Sequence, residues 1–271
     1  MAGTRSILMI GAGRLGGAIL QGWRLTGAVR PEQIMLRVRG MTPGAEAAVA
    51  WGAALNPPDE ALKAADVVVL AVKPQAWRGV AQAYAPLLAA DALIVSLLVG
   101  VRAGEIQAGF GGRAVARAMP TTAVAVAKGA ASIVASTAEA RARAHALFGA
   151  IATCVDLDDE GLMDAASAVG GSAPAYFYAL VEALQAAGEA QGLGADTARA
   201  LVRSAFIGAA ALLDGSGAEP ADLRRQVASP GGTTEAALRV YLAEGGLDAL
   251  SRDAVAAAVA RAQQLAAAAP S

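Results

Sequence analysis

Over the first half of the chain, short apolar runs alternate with amphipathic stretches of helical spacing. Ile7 to Ile10 is the first such run. It meets GAGRLGGAIL, a helical stretch continues to about Thr26, a turn follows at Gly27 to Pro31, and a second run occupies Ile34 to Val38. Strand, glycine turn, helix and strand in this order is the unit that builds parallel sheets. The alternation continues with a helix at Ala45 to Trp51, a strand at Val67 to Val72, a helix at Trp77 to Leu88 and a strand at Leu93 to Leu97. Further short strands are expected at Ala114 to Ala118, Ala130 to Ala135 and Thr153 to Val155, with a helix from Thr137 to Gly149 between the last two. These strands are apolar throughout rather than at every second position, which predicts a sheet covered on both faces.

After Asp156 the strand-like runs stop and alanine- and leucine-rich helices take over. Asp158 or Asp159 can cap a helix entering Leu162 to Ala168, and GGSAP at Gly170 to Pro174 is expected to interrupt it before a helix at Ala175 to Gly188. GLGAD, DGSGAEP and QVASPGGTTEAAL separate the helices that follow, and an alanine-rich terminal helix runs on after Ala254. The expected class is α/β, with a parallel-sheet domain over residues 1–157 and an all-helical domain over 158–271.

Composition then narrows the chemistry. The 271 residues include 22 basic and 23 acidic side chains, a net charge of −1, so no electrostatic footprint exists for nucleic acid or an anionic membrane. A mean hydropathy of +0.47 raises the question of a membrane protein, yet runs such as VVVLAV fall far short of the roughly 20 residues a span needs. The single cysteine, Cys154, has no internal disulfide partner, and a single His145 with that one thiol cannot build a metal cluster. No metal and a cytoplasmic location are the expectations, since no leader-like apolar segment precedes the first motif.

Gly11, Gly13 and Gly16 form G-x-G-x-x-G between a strand and a helix. The first glycine permits the tight turn, the second lets the backbone approach a pyrophosphate and the third allows close helix–strand packing, while the helix N-terminus attracts phosphate. A dinucleotide is therefore the expected ligand. An NAD-preferring site usually carries an acidic residue at the end of the second strand; here the chain reads Leu36, Arg37, Val38, Arg39, Gly40. A guanidinium there suits a 2′-phosphate, so NADPH is expected, with NADH as the alternative. A second anion loop is ASPGGTTEAAL at Ala228 to Leu238. Ser229 or Thr233 can cap its helix, and Gly231 and Gly232 open the backbone to a small carboxylate.

With GAGRLGGAI at the start, DVVVLAVKPQ at Asp66 to Gln75, RAMPTT at Arg117 to Thr122, SAPAY at Ser172 to Tyr176 and LRRQVASPGGTTEAAL at Leu223 to Leu238, the chain resembles the pyrroline-5-carboxylate reductases, the last enzymes of proline biosynthesis. The resemblance implies a Rossmann-type domain followed by a helical dimerisation domain, homodimers and further assembly to decamers. It implies that Gly11, Gly13, Arg14, Leu15, Gly16, Arg37, Arg39, Ala71, Val72, Lys73, Pro74, Met119 and Pro120 lie along the cofactor. It places the substrate carboxylate on Ser229, Gly231, Gly232, Thr233 and Thr234, with Ser172 beside the substrate. Reduction of a cyclic imine needs a hydride donor, a polarised carbon–nitrogen double bond and a rigid pose, and no nucleophile. Thr234, Lys73 and Tyr176 are the candidates to assist.

Two positions depart from the family pattern. Thr121 stands where asparagine is usual, and Gly170 where serine is usual, each removing a hydrogen-bonding group. They keep open a reductase of another cyclic imine, such as a piperideine carboxylate, and a nucleotide-binding regulatory homologue weakened in catalysis. A β-hydroxyacid reductase shares the two-domain plan but is expected to use a lysine on the first helix after the sheet, and Ala175 to Gly188 has none.

Overall fold

The structure, a computed structural model, describes residues 6–267. Within them the chain forms two compact units, one of residues 6–172 with 258–267 and one of residues 173–257.

The first unit is built on eight strands: β1 (Ile7–Ile10), β2 (Ile34–Arg37), β3 (Ala54–Leu55), β4 (Val67–Leu70), β5 (Leu93–Ser96), β6 (Val115–Pro120), β7 (Gly129–Ala135) and β8 (Ala152–Asp156). They lie in the order β3-β2-β1-β4-β5-β6-β7-β8. Strands β1 to β6 are parallel, with Ile7 opposite both Ile34 and Val67; β7 then runs antiparallel to β6, and β8 parallel to β7. Alternate residues of each central strand feed two separate cores. Ile7, Met9, Val67 and Val69 pack with Trp23 of α1 (Arg14–Thr26) and Phe148 of α5 (Ala138–Phe148). On the other face Leu8, Ile10, Val68 and Leu70 meet Trp77 of α3 (Trp77–Tyr84) and Ile106 of α4 (Ala103–Gly109). Helices on both faces explain why the strands read as unbroken apolar runs.

Helix α1 is seated by small residues on two sides. A Cβ on Gly44, in α2 (Pro43–Trp51), would lie 2.7 Å from the Gly17 Cα, and a Cβ on Gly22 would lie 2.2 Å from the Val124 carbonyl oxygen. Its interior is completed by Trp23, fully buried, whose indole N–H donates to the Leu147 carbonyl at 2.8 Å.

Three expectations need correcting. Strand β3 and helix α4 were not foreseen. GGSAP does not simply break a helix: after Asp159 caps the turn Glu160–Leu162 and α6 (Met163–Ala166) forms, the chain passes through a π-helical turn, Ser167–Gly171, before α7 (Ala173–Ala190). The π turn packs against β6 and β7. Such turns form where a helix accommodates an extra residue, and they recur at functional sites.

The second unit holds α7 and α8 (Ala195–Ser216), packed on each other, then α9 (Pro220–Val227), α10 (Thr233–Tyr241) and much of α11 (Leu247–Ala267). It buries little of its own apolar surface: Ile207 is 67% and Val240 75% exposed, as are large parts of Phe177, Tyr178, Leu201, Leu212 and Leu250. A groove of about 390 Å³ between α7 and α8 is lined by Leu180, Leu184, Leu201 and Phe206.

Candidate active site

In an open parallel sheet, ligands bind outside the carboxyl ends of the strands where the order reverses. Here that point lies between β1 and β4. Gly11 follows β1 with φ +96°, a conformation that suits glycine, and a Cβ there would stand 2.5 Å from the Ala71 carbonyl oxygen just past β4. Gly16 is equally tight, 2.8 Å from the Gly11 oxygen, whereas a Cβ on Gly13 would meet nothing within 4 Å. The turn is therefore closed beneath and open above, at the N-terminus of α1, where Arg14 is exposed and Leu15 half-buried. The Gly11 N–H donates to the Arg37 carbonyl at 2.8 Å, tying the loop to the end of β2.

A dinucleotide fits this cradle: open space over Gly13 faces the unpaired first-turn N–H groups of α1. Thr42, which sequence reasoning missed, donates its hydroxyl to the Ala12 carbonyl at 2.5 Å and caps α2 by accepting from Ala45 N–H. Thr42 followed by Pro43 at the first position of α2 was the available signal. Asn56 was also missed. It holds a positive φ of 42°, and its side-chain oxygen accepts from Val38 N–H at 3.1 Å, bracing the end of β2. A groove of about 1120 Å³ opens beside this loop and runs on between α1 and α2 as far as Trp51. Only its Ala12–Arg14 and Thr42 end belongs to the strand ends.

The two arginines after β2 differ. Arg37 is committed: it pairs with Asp59, its guanidinium lies 5.7 Å from the Tyr84 ring centroid, and its side chain is only 15% exposed. Arg39 is exposed, with no ion pair or hydrogen bond among the described residues. Beyond β4, Ala71 and Val72 are half-buried and Lys73 is exposed ahead of Pro74. Met119 and Pro120 close β6, both buried. Thr121 is buried too, and its hydroxyl accepts from Ala130 N–H at 3.2 Å while its own N–H donates to the Ala130 carbonyl, closing the β6–β7 hairpin. Ser172 is half-buried at the end of the π turn.

In the second unit the loop Ser229–Gly232 leads into α10, and neither Ser229 nor Thr233 caps the helix as expected. Gly232 is the cap residue, without a side-chain bond, because the loop is stitched from the other direction. Gly231, at φ +73°, donates its N–H to the Glu235 carboxylate at 2.6 Å, and Gly232 N–H donates to the Ser229 carbonyl. Both glycine donors are thus engaged. The first-turn N–H groups of Thr233, Thr234 and Glu235 have no acceptor within the helix. Tyr176, in α7, is half-buried.

Glu235 is held below the usual carboxylate range, chiefly by the Gly231 N–H and then by Arg239, against a small opposing effect of burial. A lowered folded-state value means that the contact contributes fully above the ordinary glutamate pKa of about 4.3 and is lost as pH falls through the lower folded value. Glu235→Gln is accordingly expected to lower the thermal midpoint slightly at neutral pH. The two proteins should converge toward pH ~2, where both side chains are uncharged; thermal melts across the acid range check this, and a constant gap at all pH values contradicts it.

Elsewhere His145 pairs with Asp156 at 2.9 Å, and the Cys154 thiol is pushed up by burial and then by Asp156. No group of acidic, histidine or cysteine side chains that could hold a metal occurs among the described residues. No helix among them is long and apolar enough to cross a membrane.

Comparison with known proteins agrees with this geometry. Residues 160–265 match the family model described as pyrroline-5-carboxylate reductase dimerisation, and residues 6–100 match that described as NADP oxidoreductase coenzyme F420-dependent. A pyrroline-5-carboxylate reductase of Pseudomonas aeruginosa is 40% identical over 272 residues, 97% of each chain. The chain belongs to the pyrroline-5-carboxylate reductase family. A solved reductase of that name from Coxiella burnetii superposes with a TM-score of 0.88 at 33% identity, covering 97% of this chain and 98% of the other. The pyrroline carboxylate reductase of Plasmodium falciparum, solved with NADP bound, shares the fold at a TM-score of 0.83 and 22% identity, covering 97% and 99%.

As a member of the pyrroline-5-carboxylate reductase family, the chain is an NAD(P)-dependent oxidoreductase of a type that acts on a cyclic imine, and it carries the family's dimerisation region. Of its two departures, Thr121 has its hydroxyl turned to the fold itself, and Gly170 has nothing within 4 Å of where a side chain would begin.

Proposed function

We propose that this chain reduces 1-pyrroline-5-carboxylate to L-proline with NADPH, as a homodimer joined through its C-terminal helices. The observation that carries the reading is the presence, in one chain, of the closed glycine cradle at Gly11 and of a loop at Ser229–Thr234 whose backbone already holds a carboxylate, that of Glu235. With Glu235 on the Gly231 donor, the first-turn N–H groups of Thr233 and Thr234 are the ones this helix terminus offers to a second carboxylate.

Gly11, Gly13 and Gly16 with the start of α1 hold the pyrophosphate, Arg39 takes the 2′-phosphate, and Ala71–Pro74 with Met119–Pro120 border the nicotinamide half. When bound, NADPH supplies the hydride that reduces the imine carbon. The chain's own work is positioning. Thr233 and Thr234 present N–H and hydroxyl groups to the substrate carboxylate, the Thr234 hydroxyl orients the imine nitrogen, and Tyr176 and Ser172 complete the polar lining. An imine already protonated in solution relieves the protein of supplying a strong acid. Lys73 adds positive charge at the end of β4. The apolar faces of α7, α8 and α10, exposed in one chain, are what a second copy covers.

NADPH oxidation is the test, with pyrroline-5-carboxylate, piperideine carboxylates and carboxylate-free imines compared side by side. Preference for the five-membered carboxylate supports the proposal; preference for the six-membered ring reassigns the substrate; no turnover with any of them favours a regulatory homologue. For the cofactor, Arg39→Ala should raise the NADPH KM about tenfold or more, the usual loss for a charge-assisted hydrogen bond, and change NADH use little. Equal effects on both cofactors would remove Arg39 from the 2′-phosphate.

A further inference from the structure

Arg117 places a charge inside the sheet. It stands in β6 opposite Ser96 of β5, is 4% exposed, and shares its face of the strand with Val115 and Met119. A buried guanidinium requires a counter-ion and good hydrogen-bond geometry. One carboxylate serves it: Arg117 Nη1 donates to Glu160 Oε1 at 2.7 Å, while Nη2 reaches toward the Leu98 carbonyl at 3.5 Å and Nε has no partner among the described residues. The same Glu160 oxygen accepts from the Ala103 N–H at 2.7 Å, the first residue of α4.

A single carboxylate oxygen therefore joins three segments that are distant in sequence: the middle of β6, the start of α4, and the turn that opens the run through α6 and the π turn to Ser172. That run returns to lie on β6 and β7. The pair ties β6, two residues before Met119, to the turn at Glu160, from which α6 leads into the π turn that begins at Ser167. Replacing a buried ion pair with an apolar pair of similar volume is often neutral for stability, and here the Arg117 side chain is buried while that of Glu160 is 28% exposed. Directional hydrogen bonds do something an apolar pair cannot, which is to hold two backbone segments in one register.

We propose that Arg117 and Glu160 are positioning residues for hydride transfer, locking the strand end beside the nicotinamide half of the cofactor to the π-helical segment that carries Ser172. The inference rests on the reductase reading given above. In the full-length enzyme, Glu160→Met keeps most of the volume but removes the oxygen that accepts from both Arg117 and Ala103. Its NADPH Kd should stay within about twofold, because the phosphates are held at Gly11–Gly16. Its kcat should fall about tenfold or more, as small misplacements of reacting groups do. The deuterium isotope effect on kcat, read with NADPH labelled at the transferred hydrogen, should rise as hydride transfer becomes more fully rate-limiting. Partial unfolding would instead scale kcat with the folded fraction and leave the isotope effect unmoved.

Hydrogen exchange gives a readout that needs no substrate: the amides of Met119, Thr121 and 163–172 should exchange faster in Glu160→Met, with α1 unchanged. Arg117→Lys, which retains charge but not the planar fork, should fall between the two in both readouts. Unchanged exchange, or faster exchange with an unchanged isotope effect, overturns the proposal. Should the wild-type enzyme reduce none of the imines, the reductase reading fails by itself, and hydrogen exchange alone then decides whether the two segments are locked.

Discussion

Gly11→Ala is expected to abolish tight NADPH binding. The new methyl group would lie 2.5 Å from the Ala71 carbonyl oxygen and 2.9 Å from its carbon, both backbone atoms, so no side-chain rotation can relieve the contact. At φ +96° the alanine would also carry a left-handed backbone penalty of about 1–2 kcal/mol. Both strains relax in the same way, by pulling the turn off the ends of β1 and β4. The hydrogen bond from Gly11 to Arg37 and the direction of the first α1 N–H groups go with it. A loss of about 2–3 kcal/mol in cofactor binding corresponds to roughly 30- to 150-fold in Kd. Fluorescence titration of NADPH reads it directly, and an alanine variant that binds within a factor of two of the parent would place the dinucleotide elsewhere.

Trp23→Ala should carry the largest cost in stability. Its indole is fully buried between the sheet and α5, and truncations of this kind cost about 3–5 kcal/mol through lost transfer energy and the cavity left behind. The Leu147 carbonyl also loses its donor, adding on the order of 1 kcal/mol. For a chain of this size each kcal/mol moves the melting point by about 2–4 °C, so a fall of roughly 10 °C or more is expected. Trp23→Phe restores most of the apolar volume but not the N–H, and should recover part of that. Differential scanning calorimetry of the three proteins checks it, and a shift under about 3 °C for the alanine variant would mean that α1 is far less tightly seated than its contacts indicate.

How much of this was legible in the sequence depends on whether the cause of each element is local. β1 and the Gly11–Gly16 turn were legible because an unbroken apolar run and three glycines at fixed spacing each encode their own geometry. Helix α4 was not. Gly104 and Gly109 depress its propensity, and what holds it is Ile106, fully buried, with a first N–H satisfied by Glu160, both visible only in three dimensions. β3 has two residues, too few to show any period, and exists because β2 offers it an edge. Arg37 looked interchangeable with Arg39 along the chain, and only the fold brings Asp59 and Tyr84 to the first. The loop at Ser229 was recognised, whereas the hold of Glu235 on the Gly231 N–H was not legible, because it depends on the left-handed backbone at Gly231.

The seating of α1 has a thermodynamic consequence. With Gly17 against Gly44 on one side and Gly22 against the Val124 carbonyl on the other, the helix meets backbone rather than adjustable side chains, and so has no neighbouring orientation to relax into. The order required to aim its leading amides is set when the protein folds, not when the ligand arrives. A dinucleotide entering such a turn meets little reorganisation, and its affinity is correspondingly exposed to substitutions at Gly22, well down the helix from the phosphates. Substitutions in this helix are expected to be tolerated best at its outward, exposed positions, Gln21, Arg24 and Leu25.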